Sequence, residues 1–265
     1  MVQMSSEVGA MLRDWRARRR VSQLDLALDA DVSPRHLSFV ETGRARPSRD
    51  LLLRLSEQLD VPRREQNALL LAAGFAPAFP ERDLADPALD VVRAALDTVL
   101  TAHEPFPALI VDRHLTMISA NRALAPLIEG VDPVLLEPPV NVLRLTLHPG
   151  GVSRNIVNLA EWRGFLLRQL DREIAQTGDG TLIALREEME LYPKGPASDA
   201  RPRDFAGVAV PFRLQRGDRV LSFYSARTVF GSPIDLTLDD LALETFLPAD
   251  AQTAEAMRVL CPPAP

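Results

Sequence analysis

The chain has one cysteine, Cys261, one lysine, Lys194, and four histidines among 265 residues. A lone cysteine near the end excludes an internal disulfide and any zinc site built from several cysteines, and it fits a reducing compartment. His36, His103, His114 and His148 are scattered without ligand spacing. No G-x-S-x-G elbow, H-E-x-x-H, P-loop or dinucleotide fingerprint occurs, and the acidic pair Glu187-Glu188 reads most simply as an exposed helix face. The sequence therefore argues against an enzyme and requires no cofactor or metal. No run of about 18 apolar residues exists, and Arg13, Asp14 and Arg16 interrupt the N-terminus, which argues against a membrane span or secretory signal. The expected compartment is the cytosol. Aromatic residues are few, at 5%, yet 46% hydrophobic residues can bury a core, and this length suits two domains better than one.

A net charge of −6 looks wrong for a nucleic-acid partner until it is divided by position. Residues 1–80 carry twelve arginines against ten acids, whereas the remainder carries eighteen cations against twenty-six acids. The basic end has the sign that a DNA-docking surface requires. Abundant arginine beside a single lysine also fits a bias of genome composition, so charge alone decides nothing.

Five short helical patterns fill the first 75 residues. Val8, Leu12 and Trp15 share one face. Ser22 caps a second helix with Asp25 three residues on, and Leu24, Ala27 and Leu28 are its expected inner face. Ser33-Pro34 pairs a capping oxygen with proline at the first helical position, Leu37 and Val40 face inward, and Gly43 ends that third helix. Ser48 caps a fourth carrying Leu51, Leu52, Leu55 and Leu59, and a fifth runs from about Arg63 to Ala73. Pro77, Pro80 and Pro87 then break regular structure.

The expected organisation is a helical domain over 1–76, a linker and connecting helix over 77–104, and a second domain over 105–255. In the last, Pro107 to Val111 and Leu115 to Ser119 read as strands around Asp112-Arg113-His114, and a long helix is expected from Asn155 to Gln176. After a loop from Pro193 to Pro202, Val208, Val210, Phe212 and Leu214 alternate, Arg216-Gly217-Asp218 turns the chain, and Arg219 to Phe230 returns. A last strand is expected near Leu241 to Leu247. This unequal mixture predicts an α+β domain with a mainly antiparallel sheet.

Two short helices joined tightly, with small Ala27 at their contact and Asp31 in the turn, satisfy the geometry of a helix-turn-helix. The outer side of the third helix then carries Arg35, His36, Ser38 and Phe39. Arg35 is placed to read guanine in bidentate fashion and Phe39 to touch a thymine methyl. Gln23, Ser33, His36, Arg44 and Arg46 are candidate phosphate contacts, which set register without reading sequence. A generic helical bundle with solvated arginines is the competing reading.

The order of residues is more specific than the charge. Gln23-Leu24-Asp25-Leu26-Ala27, Val32-Ser33, Leu37-Ser38-Phe39-Val40-Glu41-Thr42-Gly43 and Arg46-Pro47-Ser48 together resemble the phage-repressor-like helix-turn-helix family called XRE, over residues 8–73. The resemblance implies that the third helix enters the major groove and that Gln23 holds a phosphate. Pro34 departs from the polar residue usual there, so specificity leans harder on Arg35. Duplex DNA is the implied partner. A homodimer on a palindrome is expected, because one such unit reads only a few base pairs.

The segments Pro107-Ala108-Leu109-Ile110-Val111-Asp112, Asn158-Leu159-Ala160-Glu161-Trp162-Arg163 and Leu243-Glu244-Thr245-Phe246-Leu247-Pro248-Ala249-Asp250 resemble the MmyB-like regulators. The resemblance implies a PAS-like, ligand-binding second domain. Such a sheet leaves a largely apolar cavity, which suits a lipophilic, fatty-acid-like effector. Trp162 and Phe223 are candidate pocket walls, and Asn121, Arg122, Arg154 and Asn158 candidates to orient a head group. Trp162 lies on an apolar stripe and reads as core ahead of ligand contact, and the alternative for Arg154 and Asn158 is that they cap or solvate the long helix. An adaptor whose second domain binds a protein in place of a ligand is the alternative.

Overall fold

The computed structural model describes residues 2–195, 210–229 and 235–262, and the chain divides into two units near Arg82. The first unit holds α1 (Val2–Arg19), α2 (Gln23–Asp29), α3 (Pro34–Glu41), α4 (Arg49–Gln58) and α5 (Arg63–Ala72). Three of these helices start where a serine hydroxyl can take an orphan amide. Ser22, Ser33 and Ser48 accept from the backbone N–H of Asp25, His36 and Leu51 at 3.1, 3.1 and 3.2 Å. Val8, Leu12 and Trp15 of α1 meet Leu37 and Val40 of α3 and Leu52 and Leu55 of α4 in one core.

The α2–α3 turn is made by Asp31 at φ +52°, and Gly43, at φ +73°, follows the end of α3. A short carboxylate side chain tolerates that left-handed conformation better than most, which is why the turn needs no glycine. The inner face of α2 differs from expectation. Leu26 and Ala27 are buried, whereas Leu24 and Leu28 are 56% and 67% exposed. A helix of seven residues has too few turns for periodicity to fix its rotation, and the tight Ala27 contact decides it instead.

In the second unit, α6 (Asp90–Ala102) precedes β1 (Ala108–Val111) and β2 (Met117–Ala120). Helices α7 (Val142–Leu147), α8 (Leu159–Thr177) and α9 (Gly180–Glu190) lead to the hairpin of β3 (Phe212–Arg216) and β4 (Arg219–Val229). The short α10 (Leu236–Asp239), β5 (Ala242–Pro248) and α11 (Ala251–Leu260) end it. The strands form one antiparallel sheet in the order β2-β1-β5-β4-β3. Strand β1 lies inside the sheet and is buried on both faces, so it reads as an unbroken apolar run. Leu96 and Leu100 of α6 cover Ala108, Ile110 and Leu243 on one face. Leu109, Val111 and Phe246 point to the other, as the two-residue period of a strand requires.

Two expected boundaries shift for identifiable reasons. Leu115 sits at φ +63°, so it belongs to the turn, where Asp112 Oδ1 accepts from the amides of His114 and Thr116, each at 2.8 Å. Ile156 bridges to Leu214, and the Val157 N–H donates to the Arg213 carbonyl at 2.9 Å, which delays the start of α8 to Leu159. The hairpin closes on the expected Gly217-Asp218, between the paired Arg216 and Arg219. Val208, Phe230 and the 196–202 part of the expected loop lie outside the described residues.

Gly9 sets the approach of α1 to α3: a methyl group there would stand 2.4 Å from the Val40 carbonyl oxygen and 2.6 Å from that of Glu41. Helix propensity alone would make Gly9→Ala stabilising by about 1 kcal/mol. Overpacking against backbone opposes it, and we expect a net loss of about 1–3 kcal/mol, measured by denaturant unfolding of the full chain.

Candidate DNA-reading face and ligand cavity

Leu37 and Val40 are fully buried, which turns the opposite side of α3 outward. There Arg35 is exposed and Phe39 and His36 are half-buried, with the Arg35 guanidinium 5.4 Å from the centre of the Phe39 ring. That stacking, at four-residue helical spacing, holds both side chains of the expected base-reading pair together. Ser38 is half-buried on the same helix, and Arg44 is exposed just beyond it.

The end of α3 is fixed by charge. Glu41 is 4% exposed, and Arg16 of α1 grips it in bidentate fashion, Nε to Oε1 at 2.7 Å and Nη2 to Oε2 at 2.9 Å. Gln23 of α2 donates to Oε2 at 3.0 Å. The hydrogen bond to Glu41 raises the already high pKa of Arg16, which keeps the guanidinium charged. Gln23, expected at a phosphate, thus has its amide nitrogen committed to Glu41. The Ser33 hydroxyl is committed to its cap. Arg46 is tied elsewhere: its Nη2 donates to the Ala73 carbonyl at 2.9 Å and its guanidinium covers Phe75. This favours a role in closing the end of α5 over one at a phosphate.

In the second unit a cavity opens between the sheet and the helices, with about 970 Å³ between its walls when the open mouth is included. Its apolar wall includes Met117, Phe212 and Phe246 from the sheet, Leu145 of α7, and Trp162 and Leu166 of α8. At one end the lining turns polar, with Gln169 and Glu173 of α8, Ser225 and Arg227 of β4 and Glu244 of β5. Arg227 and Glu244 are direct partners across the strands. Arg227 makes an ion pair with Glu173, and its Nε lies 3.7 Å from Glu244 Oε1. Burial raises the pKa of both glutamates, and the adjacent Arg227 only partly offsets it.

Of the six residues expected at the ligand, only Trp162 lines the cavity. Asn121 is a backbone staple: its Oδ1 accepts from Ala108 N–H at 3.1 Å and its Nδ2 donates to the Leu100 and Phe106 carbonyls. Asn158 does the same at β3, accepting from Arg213 N–H at 3.2 Å and donating to the Pro211 carbonyl at 2.8 Å. Arg122 is exposed and pairs with Glu104, and Arg154 is exposed and bonds the Gly130 and Gly150 carbonyls. Phe223 lies behind the wall, its ring centre 6.4 Å from those of Phe212 and Phe246. The polar end is not among the sequence expectations, although the segment Leu243 to Asp250 contains Glu244.

A family model described as the MmyB-like transcription regulator ligand binding domain matches residues 92–260, and a helix-turn-helix model matches residues 12–66. The chain belongs to the MmyB-like transcription regulators. This architecture is that of a DNA-binding transcription regulator, and both matched domains are regulator domains. Among solved structures, the clp gene regulator ClgR from Corynebacterium glutamicum is 28% identical over 38% of this chain and 95% of its own, with a TM-score of 0.24. An RNA-binding Light-Oxygen-Voltage receptor is 15% identical over 96% of this chain, with a TM-score of 0.27, and the chain covers 63% of that receptor structure. No curated protein matches. Among the described residues no helix is long and apolar enough to cross a membrane.

Removing the buried anion should be severe for this MmyB-like regulator. Glu41→Ala leaves Arg16 without its partner, and we expect a loss of about 3 kcal/mol in denaturant unfolding. Arg46→Ala should cost about 1 kcal/mol through the lost bond to Ala73, with the salt dependence of DNA binding unchanged.

Proposed function

We propose that this regulator reads duplex DNA in sequence-specific fashion with the outer side of α3, as a homodimer in the cytosol, under the control of a lipophilic effector held in the second domain. Arg35 reads a base edge and Phe39 a thymine methyl, while Ser38 and His36 flank them. Arg44 holds a phosphate, and Gln23 and Ser33 border the backbone. The observation that carries this reading is the burial of Leu37 and Val40 beneath an exposed Arg35. The symmetric dimer follows from need: one recognition helix reads only a few base pairs, so two half-sites about one DNA turn apart supply the affinity.

The cavity supports an effector over a protein partner, because its apolar wall and confined polar end match the usual make-up of small-molecule sites. A fatty-acid-like chain fits that wall. The protein acts by binding and not by catalysis. Control requires the effector to bind one conformational state better than another, since equal affinity shifts nothing.

Selection of bound sequences from random DNA should return a palindrome. On that operator, Arg35→Ala should lose about 1–3 kcal/mol and relax the preference at one base position in each half-site. Arg44→Ala should weaken all sequences alike and reduce the slope of log K against log salt by about 0.9 per lost phosphate contact. Equal losses in the two variants with unchanged base preference would refute the division of labour.

A further inference from the structure

Given the reading that the cavity holds the effector, its polar end decides how a head group is bound. Strand register places Glu244 there: it is paired with Leu109 of β1 on one side and Arg227 of β4 on the other, and all three line the cavity. Phe246, two residues on and so on the same face of β5, lines it too. The Glu244 side chain is only 19% exposed, and its carboxyl makes no hydrogen bond among the described residues. Arg227 Nε, at 3.7 Å, is an ion-pair neighbour beyond hydrogen-bond reach. Glu173 is better supplied, with a hydrogen bond from Arg227 and the charge of Arg172, its exposed neighbour on α8. The other described lining residues carry no charge. Burial raises the pKa of Glu244, Arg227 opposes this by its charge alone, and the charge of Glu173 reinforces it. A proton held at this end therefore belongs to Glu244, and it gives that side chain an O–H donor on the cavity face of β5.

We infer that Glu244 is the head-group residue of the cavity: it acts as the neutral acid, donating its O–H to an acceptor oxygen of the effector beside the Arg227 guanidinium, so that effector binding is linked to proton uptake. A carboxylate head group shows why. With Glu244 ionised it would make a third anion, beside Glu173 and Glu244, against Arg227 and Arg172; with Glu244 protonated, two anions meet two cations. The site thus suits a chain that ends in a carboxylate or another oxygen acceptor, and binds it more tightly as the pH falls. Below the raised pKa of Glu244 the proton is present before the ligand arrives, and affinity is flat. Above it the proton must be taken from solvent with the ligand, and affinity falls by up to about tenfold per pH unit.

The test is calorimetry of the full chain with sodium decanoate from about pH 5.5 to about pH 8, in buffers of different ionisation enthalpy so that protons are counted. Affinity should fall at least about tenfold across that range, with proton uptake on binding. Glu244→Gln keeps a neutral donor at the same position, so it should hold decanoate at the upper pH about as tightly as the parent does at the lower. Its slope should be gone, and any uptake left in it belongs to the decanoate. Glu244→Ala should bind several-fold more weakly than the parent at the lower pH. Glu173→Gln should keep the slope but move it to lower pH, because it removes a charge that raises the pKa of Glu244. Decanoate binding that is flat with pH and takes up no proton would overturn the inference and leave the effector reading standing. A slope lost in Glu173→Gln and kept in Glu244→Gln would overturn the assignment to Glu244. Failure of decanoate to bind at any pH would remove the effector reading, and this inference with it.

Discussion

Taking a carboxylate out of water costs several kcal/mol even after relaxation, and it is tolerated only where geometry and hydrogen bonding compensate. Glu41 meets that condition by drawing a bidentate arginine from α1 and an amide from α2 onto the end of α3. An apolar side chain in its place would leave the rotation of α3 to general packing. The planar Arg16 fork accepts one orientation of the carboxylate, and Gly9 allows the α3 backbone to close on α1 beneath it. Leu37 and Val40 complete the anchoring, so the side of α3 that carries Arg35 and Phe39 is presented at a fixed angle. Base readout depends on that angle, because a bidentate contact to guanine is lost within about an ångström of displacement.

The second domain solves a different problem with strand parity. Strand β1 is covered by α6 on one face and faces the cavity on the other, so it offers no polar side chain to either. Strand β4 carries Leu221 and Phe223 into the core and then, at the same parity, Ser225 and Arg227 at the cavity. One strand therefore supplies both part of the core behind the cavity wall and the charged end of the cavity. The charge is kept there by Glu244, directly across on β5, and by Glu173 from α8. The charged side chains of the lining are thus gathered at one end, and the sheet side of the wall stays apolar through Met117, Phe212 and Phe246.

Much of the first domain was legible in the sequence because its signals are local. Ser22, Ser33 and Ser48 each act within three residues, Asp31 and Gly43 report their own backbone angles, and the α3 face follows from the spacing of Leu37 and Val40. What failed there was α2, where Leu24 and Leu28 read as core and are exposed, since two turns of helix fix no phase. In the second domain the element order was readable but the site was not. A polar residue among apolar ones reads equally as a ligand contact or as a staple for strand-end backbone. Asn121 and Asn158 hold strand-end backbone, and their partners Ala108 and Arg213 are known only once strand register is. Register likewise hides the facing of Arg227 and Glu244, which belong to segments seventeen residues apart.

The uneven charge of the chain bears on how such a regulator finds its sites. With twelve arginines against ten acids in residues 1–80, and eighteen cations against twenty-six acids beyond them, the protein as a whole repels a polyanion. Non-specific affinity comes almost entirely from released counterions, and a chain with so small a basic surplus gains little from them. Two of those arginines are also held by the fold: Arg16 by Glu41 and Arg46 by the Ala73 carbonyl. On the proposed reading, occupancy of the operator comes from contacts that discriminate, those of the outer side of α3, and less from attraction to any duplex. Weak general attraction lowers the background against which a specific site competes, so a modest change in the fit of a recognition helix is enough to switch such binding on or off.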